Sequence, residues 1–100
     1  NHMMLRDVQS GEWIPLEADE ILVGRHGSAD IRLPDMSISR YHAVLYVSNG
    51  IWRVVDLGSK SGTFVNGVKI EHQAILKPMD EICFGTQAVI IQQRRNANVS

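Results

Sequence analysis

Apolar residues along this chain come in short bursts separated by polar turns. Valine and isoleucine make up 20 of the 100 residues, and their branching at Cβ suits them to a pleated, half-buried strand surface. No window of about a dozen residues keeps the period of an amphipathic helix. The pattern predicts strands at 4–8, 12–17, 20–24, 30–33, 41–48, 51–56, 63–65, 68–70, 74–76, 81–84 and 87–93.

Two Asn-Gly pairs, Asn49-Gly50 and Asn66-Gly67, separate neighbouring strands. Each predicts a type I′ hairpin turn, because both central residues of that turn need a positive φ. The clearest hairpin is "YHAVLYVSNGIWRVVD". Many short strands with close turns indicate an all-β fold, a two-sheet antiparallel β-sandwich of about eleven strands. We expect the binding loops at one end of this sandwich.

Length and composition set the boundaries of the domain. One hundred residues with 44% hydrophobic content form one domain that can bury a core without a metal or disulfide. Residues 1–3 look like an expression-tag remnant and 94–100 like a polar tail or linker, which leaves 4–93 as the domain. We expect it to be monomeric when isolated and to belong to a larger protein.

Charge and single residue types exclude several classes of function. The net charge of −1 disfavours nucleic-acid binding, which requires many phosphates to be neutralised at once. The single cysteine, Cys83, excludes an internal disulfide and a cysteine-based zinc site. We therefore expect no metal and no cofactor. No apolar run approaches the ~18 residues of a membrane span, so we expect no membrane insertion and a cytoplasmic location.

Three segments contain most of the unusual polar residues: "GRHGSAD" (24–30), "SISRYH" (37–42) and "DLGSKSGTFVNG" (56–67). Each adjoins a predicted strand and therefore lies at a sheet end. If those ends meet, five side chains converge, namely Arg25, Ser39, Arg40, Lys60 and Ser61. Guanidinium groups bind a dianionic phosphate through paired, charge-assisted hydrogen bonds, and hydroxyl groups fill its remaining acceptors. Taken singly, each residue also suits an ordinary surface or turn position.

The order and spacing of these segments resemble the forkhead-associated (FHA) domain family. Three separated motifs match it between Ile21 and Gly85: Gly-Arg, Ser-Arg-x-His, and Asp-x-Gly-Ser-x-x-Gly-Thr-x-x-Asn-Gly. Members of this family recognise phosphothreonine in partner proteins. The resemblance implies a bacterial signalling module whose partner carries phosphothreonine, for example a Ser/Thr kinase or its substrate. It also implies a preference for threonine over serine.

The resemblance further implies a role for each matching residue. Arg25 would be the main phosphate contact, with Ser39 and Arg40 at the same group. Lys60 and Ser61 would face the phosphothreonine and the adjoining peptide backbone. Roles in shaping the loops would fall to Gly24, His42, Gly58, Ser59, Gly62, Thr63, Asn66 and Gly67.

Two residues depart from the family pattern. Many members have asparagine in place of Ser61, and its amide contacts the main chain of the ligand. Serine is shorter and has one hydroxyl group, so we expect a different grip on the peptide. Members often have glycine in place of Met79, which we expect in a turn remote from the phosphate.

Two other functions remain open from the sequence. An enzyme would need a nucleophile and a base. Ser39 and His42 are three residues apart, and in a strand that spacing points side chains to opposite faces. His42 is better explained as a hydrogen-bonded structural residue. The second alternative is an FHA-like assembly module that is indifferent to phosphate, as in bacterial secretion machinery. Retention of Arg25, Ser39 and Arg40 favours phosphate binding over that alternative.

Overall fold

The computed structural model describes residues 3–93, which form eleven β-strands and, within that range, no helix. The strands are β1 (Met3–Asp7), β2 (Trp13–Pro15), β3 (Glu20–Gly24), β4 (Ile31–Arg32), β5 (Ala43–Ser48), β6 (Ile51–Asp56), β7 (Thr63–Val65), β8 (Val68–Lys69), β9 (Gln73–Leu76), β10 (Glu81–Phe84) and β11 (Gln87–Gln93). Every strand predicted from the hydrophobic pattern is present. The all-β prediction is confirmed.

The strands form two sheets that pack face to face as a sandwich. One sheet has six strands in the order β2-β1-β11-β10-β7-β8, and the other has five in the order β4-β3-β5-β6-β9. All neighbours are antiparallel except β3 and β4, which pair in parallel with Gly24 opposite Arg32. The predicted antiparallel sandwich therefore has one parallel edge, because the loop after β3 returns the chain in the same direction.

The core lies between the two sheets. Leu45 and Val54 of the five-stranded sheet and Ile82 and Phe84 of the six-stranded sheet have no exposed surface. Ile38 belongs to a loop and is equally buried. The segment that contains Ser39 is thus fixed to the core by its neighbour.

Both Asn-Gly turns have the predicted backbone. The φ angles are +54° and +75° at Asn49 and Gly50, and +52° and +83° at Asn66 and Gly67. Met79 also has a positive φ, +77°, which explains why glycine is the more suitable residue at that position.

Six of the eleven strands differ by one or two residues from their predicted bounds, and two of these differences affect the interpretation. Met3 was expected outside the fold, but it pairs with Gln93 in β1 and packs against the core. His42 was expected inside a strand, but β5 begins one residue later, and the His42 ring bonds Ser39 and Gly62 in the neighbouring loops. The remaining predicted tag residues and the tail 94–100 lie outside the described residues.

Gly85 allows β10 and β11 to lie against the loop before β5. Its φ is +61°, and a Cβ atom there would lie 2.4 Å from Ser37 Oγ and 2.7 Å from the Ser37 carbonyl oxygen. The Thr86 amide donates to Ser37 Oγ at 3.0 Å. This contact joins the six-stranded sheet to the segment that precedes Ser39.

Asp56 holds the loop between β6 and β7. Its Oδ2 accepts the amides of Gly58 and Ser59, both at 3.0 Å. Its Oδ1 accepts the hydroxyls of Ser59 at 2.5 Å and of buried Thr63 at 2.7 Å. Ser59 Oγ in turn accepts the Gly62 amide at 3.0 Å. One carboxylate therefore determines the shape of the loop that presents residue 60.

The pKa of Asp56 reflects two opposing effects. Desolvation by burial is the largest single effect and raises the pKa, but the hydrogen bonds from Ser59, Thr63 and Gly58 together outweigh it. The pKa of Asp56 is therefore lowered from its ordinary value of 3.8. The loop is stabilised by the charged carboxylate.

The contact at Gly85 can be tested by comparing two glycine variants. Gly50→Ala adds a side chain at positive φ in open space and should cost about 1–2 kcal/mol of unfolding free energy. Gly85→Ala adds the same strain plus a clash with Ser37 and should cost roughly 2–5 kcal/mol. Urea unfolding followed by tryptophan fluorescence measures both. Equal losses would contradict the close contact.

The Asp56 network predicts a pH-dependent stability. Asp56→Asn leaves one acceptor oxygen for four donors and should lower the free energy of unfolding by roughly 1–3 kcal/mol at neutral pH. Because the folded pKa is lowered, the contribution of the carboxylate is complete above the ordinary pKa and is lost as the pH falls from there through the lower folded pKa. The stability gap between wild type and variant should shrink below about pH 5. Urea titrations between neutral and acidic pH check this, and a constant gap would refute it.

Candidate functional site

Three loops meet at one end of the sandwich. In the five-stranded sheet Val23, Ala43 and Asp56 lie side by side, so the loop after β3, the loop before β5 and the loop after β6 share one edge. The Arg25 amide donates to the Ser39 carbonyl at 3.0 Å. The Lys60 amide donates to Ser39 Oγ at 2.9 Å. Ser39 therefore links all three loops.

Gly24 allows the first two loops to approach. A Cβ atom at this position would lie 2.0 Å from the Arg40 carbonyl oxygen and 3.2 Å from the His42 nitrogen. The same Arg40 carbonyl accepts the His26 amide at 3.1 Å. Only glycine permits this backbone contact, which places Arg25 beside Ser39.

The Arg25 side chain is half-buried and held in one orientation. Its Nε donates to the Ile38 carbonyl at 3.0 Å, and Ile38 is fixed in the core. The two terminal NH₂ groups of the guanidinium remain for a ligand. A guanidinium immobilised in this way loses less conformational entropy when it binds an anion.

The Ser39 hydroxyl is oriented as a hydrogen-bond donor. A hydroxyl oxygen has two acceptor lone pairs and one hydrogen. The Lys60 amide uses one lone pair, which leaves the hydrogen for an incoming acceptor. An anion beside Arg25 would supply that acceptor.

His42 is fully buried and hydrogen-bonds to two of the loops. Its Nδ1 accepts the Ser39 amide at 3.1 Å, and its Nε2 lies 2.9 Å from the Gly62 carbonyl. Since Nδ1 accepts, the ring hydrogen is on Nε2 and is donated to Gly62. The ring also packs edge-on against Phe84, with centroids 5.7 Å apart.

The His42 ring therefore contacts the Ser39 amide, which corrects the expectation that the two side chains point to opposite faces of a strand. Both ring nitrogens of His42 are occupied by backbone groups. The Ser39 hydroxyl contacts the Lys60 amide instead of the ring. The imidazole is placed to shape the loops and not to activate the hydroxyl.

The Ser61 hydroxyl is used within the protein. It donates to the Ser37 carbonyl at 2.7 Å and so connects the loop after β6 to the loop before β5. The oxygen of Ser61 can still accept a hydrogen bond from a ligand amide. It has no second hydrogen to donate to a ligand carbonyl.

Positive charge dominates the rim of the site. The side chains of Arg40 and Lys60 are exposed, and no hydrogen bond among residues 3–93 engages their charged groups. The Asp35 carboxylate accepts a hydrogen bond from the Ser37 amide at 2.8 Å. Hydrogen bonds from Ser37 and then Thr86 outweigh desolvation and lower the pKa of Asp35, so it stays ionised.

The predicted residues do not all lie together. The structure brings Arg25, Ser39, Arg40, Lys60 and Ser61 to one place, which we call the cationic site. Gly58, Ser59, Gly62 and Thr63 belong to the Asp56 network beneath it. Asn66 and Gly67 lie at the far end of β7, where the Asn66 side chain bonds Asp80 and the Glu81 amide, both at 2.9 Å.

Arg32 is a charged neighbour that the sequence analysis missed. It lies on β4, and its Nε donates to the Arg25 carbonyl at 3.2 Å. The parallel pairing of β3 with β4 places it there. No local motif indicates that pairing, although Arg25 and Arg32 are only seven residues apart in the sequence.

Two kinds of structural feature were not found within residues 3–93. No group of three or more His, Cys, Asp or Glu side chains in that range could hold a metal ion. The same residues contain no helix long and apolar enough to cross a membrane.

Known proteins resemble both the sequence and the fold. The chain is 36% identical over 80 residues to the glycogen accumulation regulator GarA of Mycolicibacterium smegmatis. The aligned region covers 80% of this chain and 50% of that protein. The chain thus spans about half the length of this curated relative.

Solved structures match over nearly the whole described region. The FHA domain of a Chlamydia trachomatis protein is 34% identical with a TM-score of 0.87, covering 95% of this chain and all of that one. Mycobacterium tuberculosis EmbR, solved with a low-affinity phosphopeptide, is 30% identical with a TM-score of 0.89, covering 91% of this chain and 24% of EmbR.

The family model described as FHA domain matches residues 21–85. This range contains all three loops of the cationic site, almost the whole five-stranded sheet, and β7, β8 and β10 of the six-stranded sheet. The chain belongs to the FHA domain family.

Proposed function

We propose that this chain is a non-catalytic module that binds phosphothreonine in partner proteins through the cationic site. It would mediate phosphorylation-dependent protein–protein interaction in signalling. The phosphate would contact Arg25, Ser39 and Arg40, and the peptide backbone would contact Lys60 and Ser61.

One observation carries this proposal. Arg25 and Ser39 are both fixed by the protein through atoms that a phosphate would not use: Arg25 by its Nε and Ser39 by a lone pair. The groups left over are the guanidinium NH₂ groups and the hydroxyl hydrogen. All of these groups are hydrogen-bond donors. The backbones of Arg25 and Ser39 are also hydrogen-bonded to each other.

The energies are sufficient for recognition of a single phosphate. A phosphothreonine carries about −1.5 to −2 charges and three strong acceptor oxygens. Hydrogen bonds to charged groups contribute roughly 1.5–3 kcal/mol each, and ordering of the peptide offsets part of that. Three or four such contacts suggest a Kd on the order of micromolar.

The Ser61 geometry predicts a one-sided contact with the peptide main chain. Its oxygen can accept an amide hydrogen, whereas its own hydrogen stays on Ser37. An asparagine could donate and accept at once. Peptide selectivity should therefore depend more on charged contacts at the rim than on Ser61.

Names of relatives support a regulatory setting. They include GarA, named as a regulator, and an oxoglutarate dehydrogenase inhibitor from Corynebacterium efficiens that is 38% identical over 80 residues. EmbR was solved with a phosphopeptide. By extension, the partner of this chain would be a phosphorylated bacterial protein, such as a Ser/Thr kinase or its substrate, met in the cytoplasm.

Replacement of Arg25 should abolish binding without unfolding the domain. Arg25→Ala removes at least two charge-assisted hydrogen bonds and should weaken binding of a phosphothreonine peptide by about 100-fold or more. Isothermal titration calorimetry measures the loss. The matching unphosphorylated peptide should not bind, and a phosphoserine peptide should bind more weakly.

Arg53→Ala is the matched control for charge. Arg53 lies over the Tyr46 ring, 5.9 Å from its centroid, in the middle of β6. The control should bind as wild type does. Undiminished affinity in Arg25→Ala, or no binding by wild type across a phosphothreonine library, would favour the phosphate-independent assembly module instead.

Binding should weaken as the phosphate gains a proton. The second pKa of phosphothreonine is about 6, and the monoanion offers less charge to Arg25 and Arg40. Affinity should fall as the pH drops below about 6. Calorimetry between neutral and mildly acidic pH measures this, and an unchanged Kd would refute selectivity for the dianion.

A further inference from the structure

Arg32 has a fixed position beside the cationic site. Its side chain is exposed, but its Nε donates to the Arg25 carbonyl at 3.2 Å. Its terminal NH₂ groups have no hydrogen-bond partner among residues 3–93. Arg32 is thus in contact with the Arg25 backbone, and each of the two guanidinium groups is held through its Nε.

Arg32 flanks Arg25 on the side away from Ser39. β3 lies between β4 and β5 in the sheet. The Arg25 amide bonds Ser39, in the loop before β5, and its carbonyl bonds Arg32, on β4. A phosphate held between Arg25 and Ser39 would therefore leave Arg32 for another group of the ligand.

Within residues 3–93, no acidic side chain forms an ion pair with Arg32. Asp30 is the acidic residue closest to it along the chain. The Asp30 carboxylate accepts a hydrogen bond from the Leu22 amide at 2.8 Å. Positive charge at this edge is thus left for a ligand.

We propose that Arg32 forms a second anion subsite, which binds an aspartate or glutamate side chain of the phosphopeptide next to the phosphothreonine. This inference rests on the proposed phosphothreonine recognition. It makes an acidic sequence flank a determinant of selectivity. The contact is exposed and should improve affinity by about two- to fivefold, with the gain diminishing at high salt.

A peptide series can locate the subsite. The parent peptide has phosphothreonine in an alanine background, and a single aspartate is moved stepwise along both flanks. Calorimetry is run with wild type, Arg32→Gln and Arg53→Gln, which removes the same charge elsewhere on that sheet. At least one aspartate position should improve binding to wild type and Arg53→Gln, and the gain should vanish in Arg32→Gln.

A reversed charge sharpens the test. Arg32→Glu should prefer lysine over aspartate at the same position. Thermal melts of the variants establish that they fold, which the exposure of Arg32 leads us to expect.

Three results would overturn the subsite. The first is the absence of any aspartate position that improves binding, and the second is an aspartate gain that persists in Arg32→Gln. The third is an equal loss for acidic and alanine peptides in Arg32→Gln, which would mean that Arg32 only positions Arg25. Failure of wild type to bind the parent peptide would instead refute the proposed function, and the subsite with it.

Discussion

His42 is buried where the two sheets of the sandwich meet, and its ring connects a loop from each. One nitrogen accepts the amide of Ser39, in the segment that leads into the five-stranded sheet. The other donates to the carbonyl of Gly62, which leads into the six-stranded sheet. A buried polar group without partners would cost free energy, so the two backbone groups and the imidazole constrain one another. The position of Ser39, and through it Arg25 and Lys60, depends on this pairing.

The local arrangement of charged residues determines the electrostatics of the site more than the net charge of the chain does. The chain has ten basic and eleven acidic residues, yet Arg25, Arg32, Arg40 and Lys60 gather at one end. Asp56 is turned beneath the loop and is satisfied by four donors. Carboxylates in this region therefore stabilise backbone, while the cations stay exposed to a ligand. A nearly neutral protein can in this way present a strongly positive site.

The two departures from the family pattern have different physical meanings. Ser61 has a hydroxyl where many members have an asparagine amide, and that hydroxyl donates its hydrogen to the Ser37 carbonyl and so connects two loops. Met79 places a side chain at positive φ in a turn that follows β9. The structural consequence is a non-glycine residue in a backbone conformation that favours glycine.

The sequence determined the strands, the Asn-Gly turns and the set Arg25, Ser39, Arg40, Lys60 and Ser61, because β-branched patterning, turn chemistry and motif spacing are local properties of the chain. Tertiary structure alone decided three other features. These are the Arg25 bond to the Ile38 carbonyl, the position of Arg32 and the use of the Ser61 hydroxyl by Ser37. Each depends on which strands become neighbours, since pairing brings together backbone groups that no periodicity along the chain can identify.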